Sequence, residues 1–143
     1  MSYEFLEHTA DVKFIAKGKS IEDSFSECAK ALFETMYEGV KIEGKKEKVI
    51  EVKGDDLKSL LYNFLEEFIF LLDSEDFVCS GLKSINVEDS LEESGLVFIL
   101  NATVIGDFAL NYTFTNSVKA PTYNDMNIEI INDLYEIICV LDV

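Results

Sequence analysis

The chain has 143 residues, enough for a single domain with a substantial core, and hydrophobic residues make up 48% of it, which excludes intrinsic disorder. Its 12 Lys+Arg stand against 28 Asp+Glu, a net charge of −16. That total repels phosphate backbones and anionic bilayers, which excludes a general nucleic-acid or membrane-surface binder.

Met1-Ser2-Tyr3-Glu4 opens with an acidic residue, and no apolar segment of signal-peptide type follows. Val12, Phe14 and Ala16 then alternate with polar residues and predict a half-buried strand. Ser20 is a good N-cap with Asp23 at the capping-box position. Ile21, Phe25, Cys28, Ala29, Leu32, Phe33 and Met36 recur at helical spacing, and Gly39 ends the helix. Val49 to Val52 predicts a short strand. A second helix follows Gly54, capped by Asp55, with a wide apolar face from Leu57 to Leu72 that predicts a deep position. Asn63, Glu66 and Glu67 interrupt its longest apolar run, which is too short to span a bilayer.

Phe77 to Val87 and Leu96 to Ile105 predict a hairpin around the acidic turn Glu88 to Gly95. Tyr112, Phe114 and Val118 predict a strand starting before Pro121. Ile128 to Ile131 and Tyr135 to Val143 predict a last hairpin around Asn132-Asp133, its second strand apolar enough to be central. Strands bracket two helices and later strands run consecutively. The fold class is therefore α+β: a largely antiparallel layered sheet, two helices inserted between early strands, one domain over residues 1–143.

Several chemistries have no support. The isolated glycines cannot build a phosphate loop, and the acidic clusters lack the ligand ladder of a calcium-binding helix–loop–helix. Cys28, Cys79 and Cys139 form no CxxC pair and read as small core hydrophobes, which suits a reducing cytoplasm. His8 is the only histidine, so a multi-histidine metal site is impossible, and no nucleophile elbow is present.

Three positions stand out. Asp11 lies at the mouth of the first clear strand, Asp142 ends the last one, and Lys119 stands in a lysine-poor half of the chain. If the two strands pair, Asp11 and Asp142 converge, and two carboxylates favour a hard cation such as Ca²⁺, Mg²⁺ or Mn²⁺. Otherwise each Asp is simply solvated.

Tyr3-Glu4-Phe5-Leu6-Glu7-His8-Thr9-Ala10-Asp11-Val12 resembles the opening of the archease family. Ala31-Leu32-Phe33-Glu34-Thr35-Met36 resembles its first helix, and the segment Asp56 to Glu67 its second. Val118-Lys119-Ala120-Pro121-Thr122-Tyr123 and Val140-Leu141-Asp142-Val143 resemble two further motifs, in order and at family length. The resemblance implies an α+β activator that is not itself an enzyme. Its partner would be the tRNA-splicing RNA ligase, whose guanylylation and repeated turnover it promotes in tRNA splicing and RNA repair. It also implies a divalent metal, Ca²⁺ foremost with Mn²⁺ or Mg²⁺ as alternatives, and a cytoplasmic protein without stable nucleic-acid binding. Asp11, Lys119 and Asp142 fall on the family's functional positions, with His8 as a further metal ligand beside Asp11. Asn124 departs from the pattern, because many members carry His there. The rival readings are a general chaperone or scaffold without metal chemistry, and a metal-dependent hydrolase.

Overall fold

A computed structural model describes all residues 1–143. In chain order the elements are β1 (Ser2–Leu6), β2 (Val12–Gly18), α1 (Ile21–Met36), β3 (Lys46–Gly54), α2 (Leu57–Glu75), β4 (Phe77–Glu92), β5 (Gly95–Phe108), a short 3₁₀ turn (Ala109–Asn111), β6 (Ala120–Ile131) and β7 (Leu134–Asp142). One sheet has the order β1-β2-β7-β6 and the other β3-β5-β4. Every neighbouring pair is antiparallel. Each helix packs against strands of both sheets, so the helices form the middle layer of an α+β sandwich.

The helices start where local chemistry satisfies their free N–H groups. The Ser20 hydroxyl accepts from the Asp23 N–H (3.0 Å). For α2 the cap is Asp56, one residue later than the sequence suggested. Its carboxylate accepts from the Ser59 N–H (2.7 Å), while the Ser59 hydroxyl serves the Asp56 N–H (3.2 Å). This reciprocal pair selects Asp56 over Asp55. Both helices bury their apolar faces in a cluster of 31 residues. At its centre Phe64 stacks on Phe25 (5.9 Å) and meets Phe68 edge-on (5.0 Å), with all three rings fully buried. Gly106 is required where β5 crosses β4, because a Cβ there would lie 1.9 Å from the Val78 carbonyl oxygen.

Three boundaries differ from the sequence reading. β1 carries no alternating signal, because an exposed edge strand needs no apolar alternation; Tyr3 fastens it to α1 by donating to Glu34 (3.0 Å). The β4–β5 hairpin continues through the acidic stretch, pairing Glu92 with Gly95, because those side chains face water without disturbing the ladder. The segment Tyr112 to Lys119 is irregular, and β6 begins at Ala120. Pro121 is tolerated inside β6 because that strand lies at the sheet edge. At the last hairpin Asn132 and Asp133 take φ values of 52° and 65°, the double left-handed conformation of a two-residue turn.

The three cysteines are free and buried. Burial pushes Cys28 well up and raises both Cys79 and Cys139 to about 12. At neutral pH all three are therefore thiols, not thiolates.

Phe64→Ala removes the ring shared by both helices. It should cost about 3–5 kcal/mol, read as a lower denaturant midpoint with an unchanged slope.

Candidate functional site

β7 is central, and its register decides what meets at the end of the sheet. Val12 pairs with Leu141 as the last pair between β2 and β7, so Asp11 immediately precedes that pair and Asp142 immediately follows it. On the other side Ala120 pairs with Asp142, and the Lys119 N–H donates to the Asp142 carbonyl (2.8 Å). Phe14, Ala16, Ile137, Cys139 and Leu141 face the core, with no exposed surface. Strand alternation then puts Asp11, Lys13 and Asp142 on the outer face. The pairing of β2 with β7, on which a meeting of Asp11 and Asp142 depends, is present and ends one residue short of both carboxylates.

The edge strand β6 brings further groups to this end. Between the pairs Thr122–Val140 and Asn127–Ile138, five steps of β6 run against two of β7. The surplus forms a bulge centred on Tyr123, Asn124 and Asp125, with Asp125 left-handed at φ 54°. On one side of the edge, Tyr123 stacks on Tyr62 of α2, with centroids 4.7 Å apart and planes at 11°. Burial, then Asp56, Tyr62 and Glu66, push the Tyr123 hydroxyl up, so it stays protonated. On the other side Asp125 reaches across β7 to Lys13 of β2 (3.5 Å) and to His8 (4.0 Å). Between them Val140 is fully buried, although it lies outside the main core cluster. Lys13 and Asp125 were missed in the sequence. The Asp11-x-Lys13 spacing could have flagged Lys13, whereas nothing in the sequence announces the bulge that delivers Asp125.

Asp11, Lys119 and Asp142 take part in none of the protein's ion pairs.

The connection that carries Lys119 is fixed by polar contacts. Asp107 is buried, and its carboxylate accepts from the Tyr112 hydroxyl (2.8 Å), the Phe108 N–H (2.8 Å) and Asn111 (3.2 Å). The Tyr112 hydroxyl in turn accepts from the Glu43 N–H (2.9 Å). Further along, Glu38 accepts from the Thr115 N–H (2.7 Å), and the Asn116 side chain accepts from the Val118 N–H (2.8 Å). Lys119 is therefore delivered by a pinned segment.

No group of three or more His, Cys, Asp or Glu side chains is arranged to hold a metal ion. His8, Asp11 and Asp142 do not close into a three-ligand set, because His8 turns toward Asp125. Asp11 and Asp142 remain as two hard-oxygen donors. They suit Ca²⁺, Mg²⁺ or Mn²⁺ only if water or a partner completes the coordination shell.

The sequence profile of the archease protein family matches residues 3–143. Protein archease of Pyrococcus furiosus is 38% identical over 92% of this chain and 90% of that protein. Its counterpart in Methanosarcina mazei is 33% identical over 89% and 86%. The solution structure of protein 1598 of Methanobacterium thermoautotrophicum superposes with a TM-score of 0.74 at 30% identity, covering 99% of this chain and 98% of that one. The crystal structure of an archease, possible chaperone, from Thermotoga maritima shares the fold, with a TM-score of 0.62 at 19% identity over 96% and 94%.

Burial acts to raise the Asp107 carboxyl, but the bonds from Tyr112, Phe108 and Asn111, together with Lys45, outweigh it and hold it below the usual carboxylate range. A depressed folded value stabilises the protein above the unfolded value, and this contribution is lost as pH falls through the folded one. Asp107→Asn should therefore lower the thermal midpoint at neutral pH and flatten its fall between about pH 5 and pH 2. Thermal melts across that range test it.

Proposed function

The chain belongs to the archease family, and from that premise we propose that it is a protein cofactor, not an enzyme. It activates a tRNA-splicing RNA ligase in the cytoplasm, promoting guanylylation and repeated turnover in tRNA splicing and RNA repair. The observation that carries this reading is the charged end of the β1-β2-β7-β6 sheet. Asp11 and Asp142 flank the last β2–β7 pair, Lys119 is fastened to Asp142 through the backbone, and none of the three takes part in an ion pair within the chain. Groups left unpaired at a fixed spacing suit a partner that pairs with them.

In this reading Asp11 and Asp142 present two carboxylates to a divalent cation or to a basic side chain of the ligase. A bound cation would supply positive charge where the ligase handles phosphate. Lys119 offers a single ammonium to a phosphate or carboxylate. The bulge of β6 sets the shape of the surface around them, with Asn124 at its crest in place of the family's frequent histidine. The excess negative charge of the chain favours encounter with a cationic RNA-binding enzyme. No helix is long and apolar enough to cross a membrane.

The description "possible chaperone" attached to the Thermotoga maritima structure supports a second reading, a general chaperone or scaffold. That reading makes Asp11 and Asp142 dispensable.

The test is RNA joining by a limiting amount of cognate ligase, GTP and Mn²⁺, with and without this protein. Many turnovers should occur only in its presence. Asp142→Asn should abolish stimulation while changing stability by under about 0.5 kcal/mol, since it alters a strand-end side chain that pairs with nothing in the chain. Full stimulation by that variant would overturn the carboxylate site. An active ligase indifferent to the wild-type protein would overturn the activator reading.

A further inference from the structure

At the far end of β7 from Asp142 the two β-hairpins extend beyond the helices they cover. Tyr135 lies about 23 Å from Asp142 along the strand, at about 3.3 Å per residue. Here the first turns of both helices form the floor of a groove, through Ile21 and Leu57. Val87 and Phe98 of the β4–β5 hairpin wall one side, and Tyr135 and Ile128 of the β6–β7 hairpin wall the other. The groove consists of two adjoining depressions of about 250 and 430 Å³ that share Leu57 and Phe98. Its apolar surface continues outward to Ile130, which pairs with Tyr135 and is 62% exposed.

The walls are held in place. Glu22, at the start of α1, accepts from the Val87 N–H (3.2 Å), tying the β4 wall to the floor. Polar groups at the rim are mostly acidic. Asp56 and Asp89 line it, Glu88 turns its carboxylate to the opposite face of β4 beside Asn86 (3.4 Å), and Lys58 is the only cation among the lining residues. An apolar slot with an acidic rim is complementary to an apolar or aromatic side chain carried on a basic segment. A second copy of this chain is a poor occupant, because two molecules of charge −16 repel.

We propose that this groove is an interaction surface for a basic segment of a protein partner, which inserts an apolar side chain between Phe98 and Tyr135 while its cations meet Asp89 and Asp56. The surface is spatially separate from the carboxylate end and does not rest on the ligase reading.

The test uses the full-length, isotope-labelled protein and three short peptides: lysine-rich with leucine and phenylalanine, the same with glutamate for lysine, and lysine-rich without apolar residues. NMR titration should show the first peptide shifting the amides of Ile21, Leu57, Phe98 and Tyr135. The other two should leave that set unmoved. The variant Asp89→Lys alters only an exposed side chain and should keep the thermal midpoint. It should weaken binding of the first peptide at least about threefold. Shifts confined to other surfaces, equal binding of the acidic peptide, or no effect of Asp89→Lys would each overturn the proposal. So would sedimentation showing a dimer whose formation Asp89→Lys leaves intact and the first peptide disrupts.

Discussion

The register of β7 between β2 and β6 is the constraint on which the rest of the molecule depends. A strand has two faces, and a slip of one residue exchanges them. In the observed register Ile137, Cys139 and Leu141 are fully buried against the helices. Asp142 is then forced outward, just beyond the last β2–β7 pair and beside the backbone of Lys119. A slipped register would put Glu136 and Asp142 into the core, at a desolvation cost far above that of any cross-strand pair. The apolar core therefore enforces the spacing of the charged site.

The middle layer makes this arrangement stiff. Each helix contacts both sheets, and the aromatic contacts of Phe25, Phe33, Phe64 and Phe68 join the two helices. The edge strands are less constrained, and there the chain departs from regularity. β6 gains its bulge at the edge, where extra residues disturb only one ladder. The bulge is still gripped on both sides, by Tyr62 on the helix side and by Lys13 on the outer side. Charge follows the same division. The lysines of β3 and β4 are largely neutralised, as in Lys48–Glu75 and Lys83–Glu47, whereas Lys119 is left free.

Much of this was legible in the sequence because it rests on local periodicity. Both helices, the alternation of Val12, Phe14 and Ala16, the turn at Asn132-Asp133 and the central place of the last strand follow from the pattern of apolar residues and caps. The pairing of β2 with β7, on which a meeting of Asp11 and Asp142 depends, is not legible in either strand alone, since pairing is a property of the whole fold. β1 escaped notice because an exposed edge strand buries little and so carries little pattern. The late start of β6 escaped for a different reason. Tyr112 and Phe114 are apolar in order to pack on the core from an irregular segment anchored by Asp107 and Glu38, not to alternate in a ladder. Asp125 and its partners could not be foreseen, because a bulge is set by a mismatch between two strands and neither strand reveals it alone.

The buried thiols have a consequence for how this protein can be observed. Cys28 sits on α1, Cys79 on β4 and Cys139 on β7, so each of the three layers carries one sulfur inside it. Protonated and screened from solvent, none reacts with an alkylating reagent in the closed protein. Labelling then requires the layer around a given sulfur to open. The relative rates at the three positions form a map of internal breathing, with one clock in each layer. The chain thus contains its own reporters of how independently its sheets and helices come apart, with no probe added.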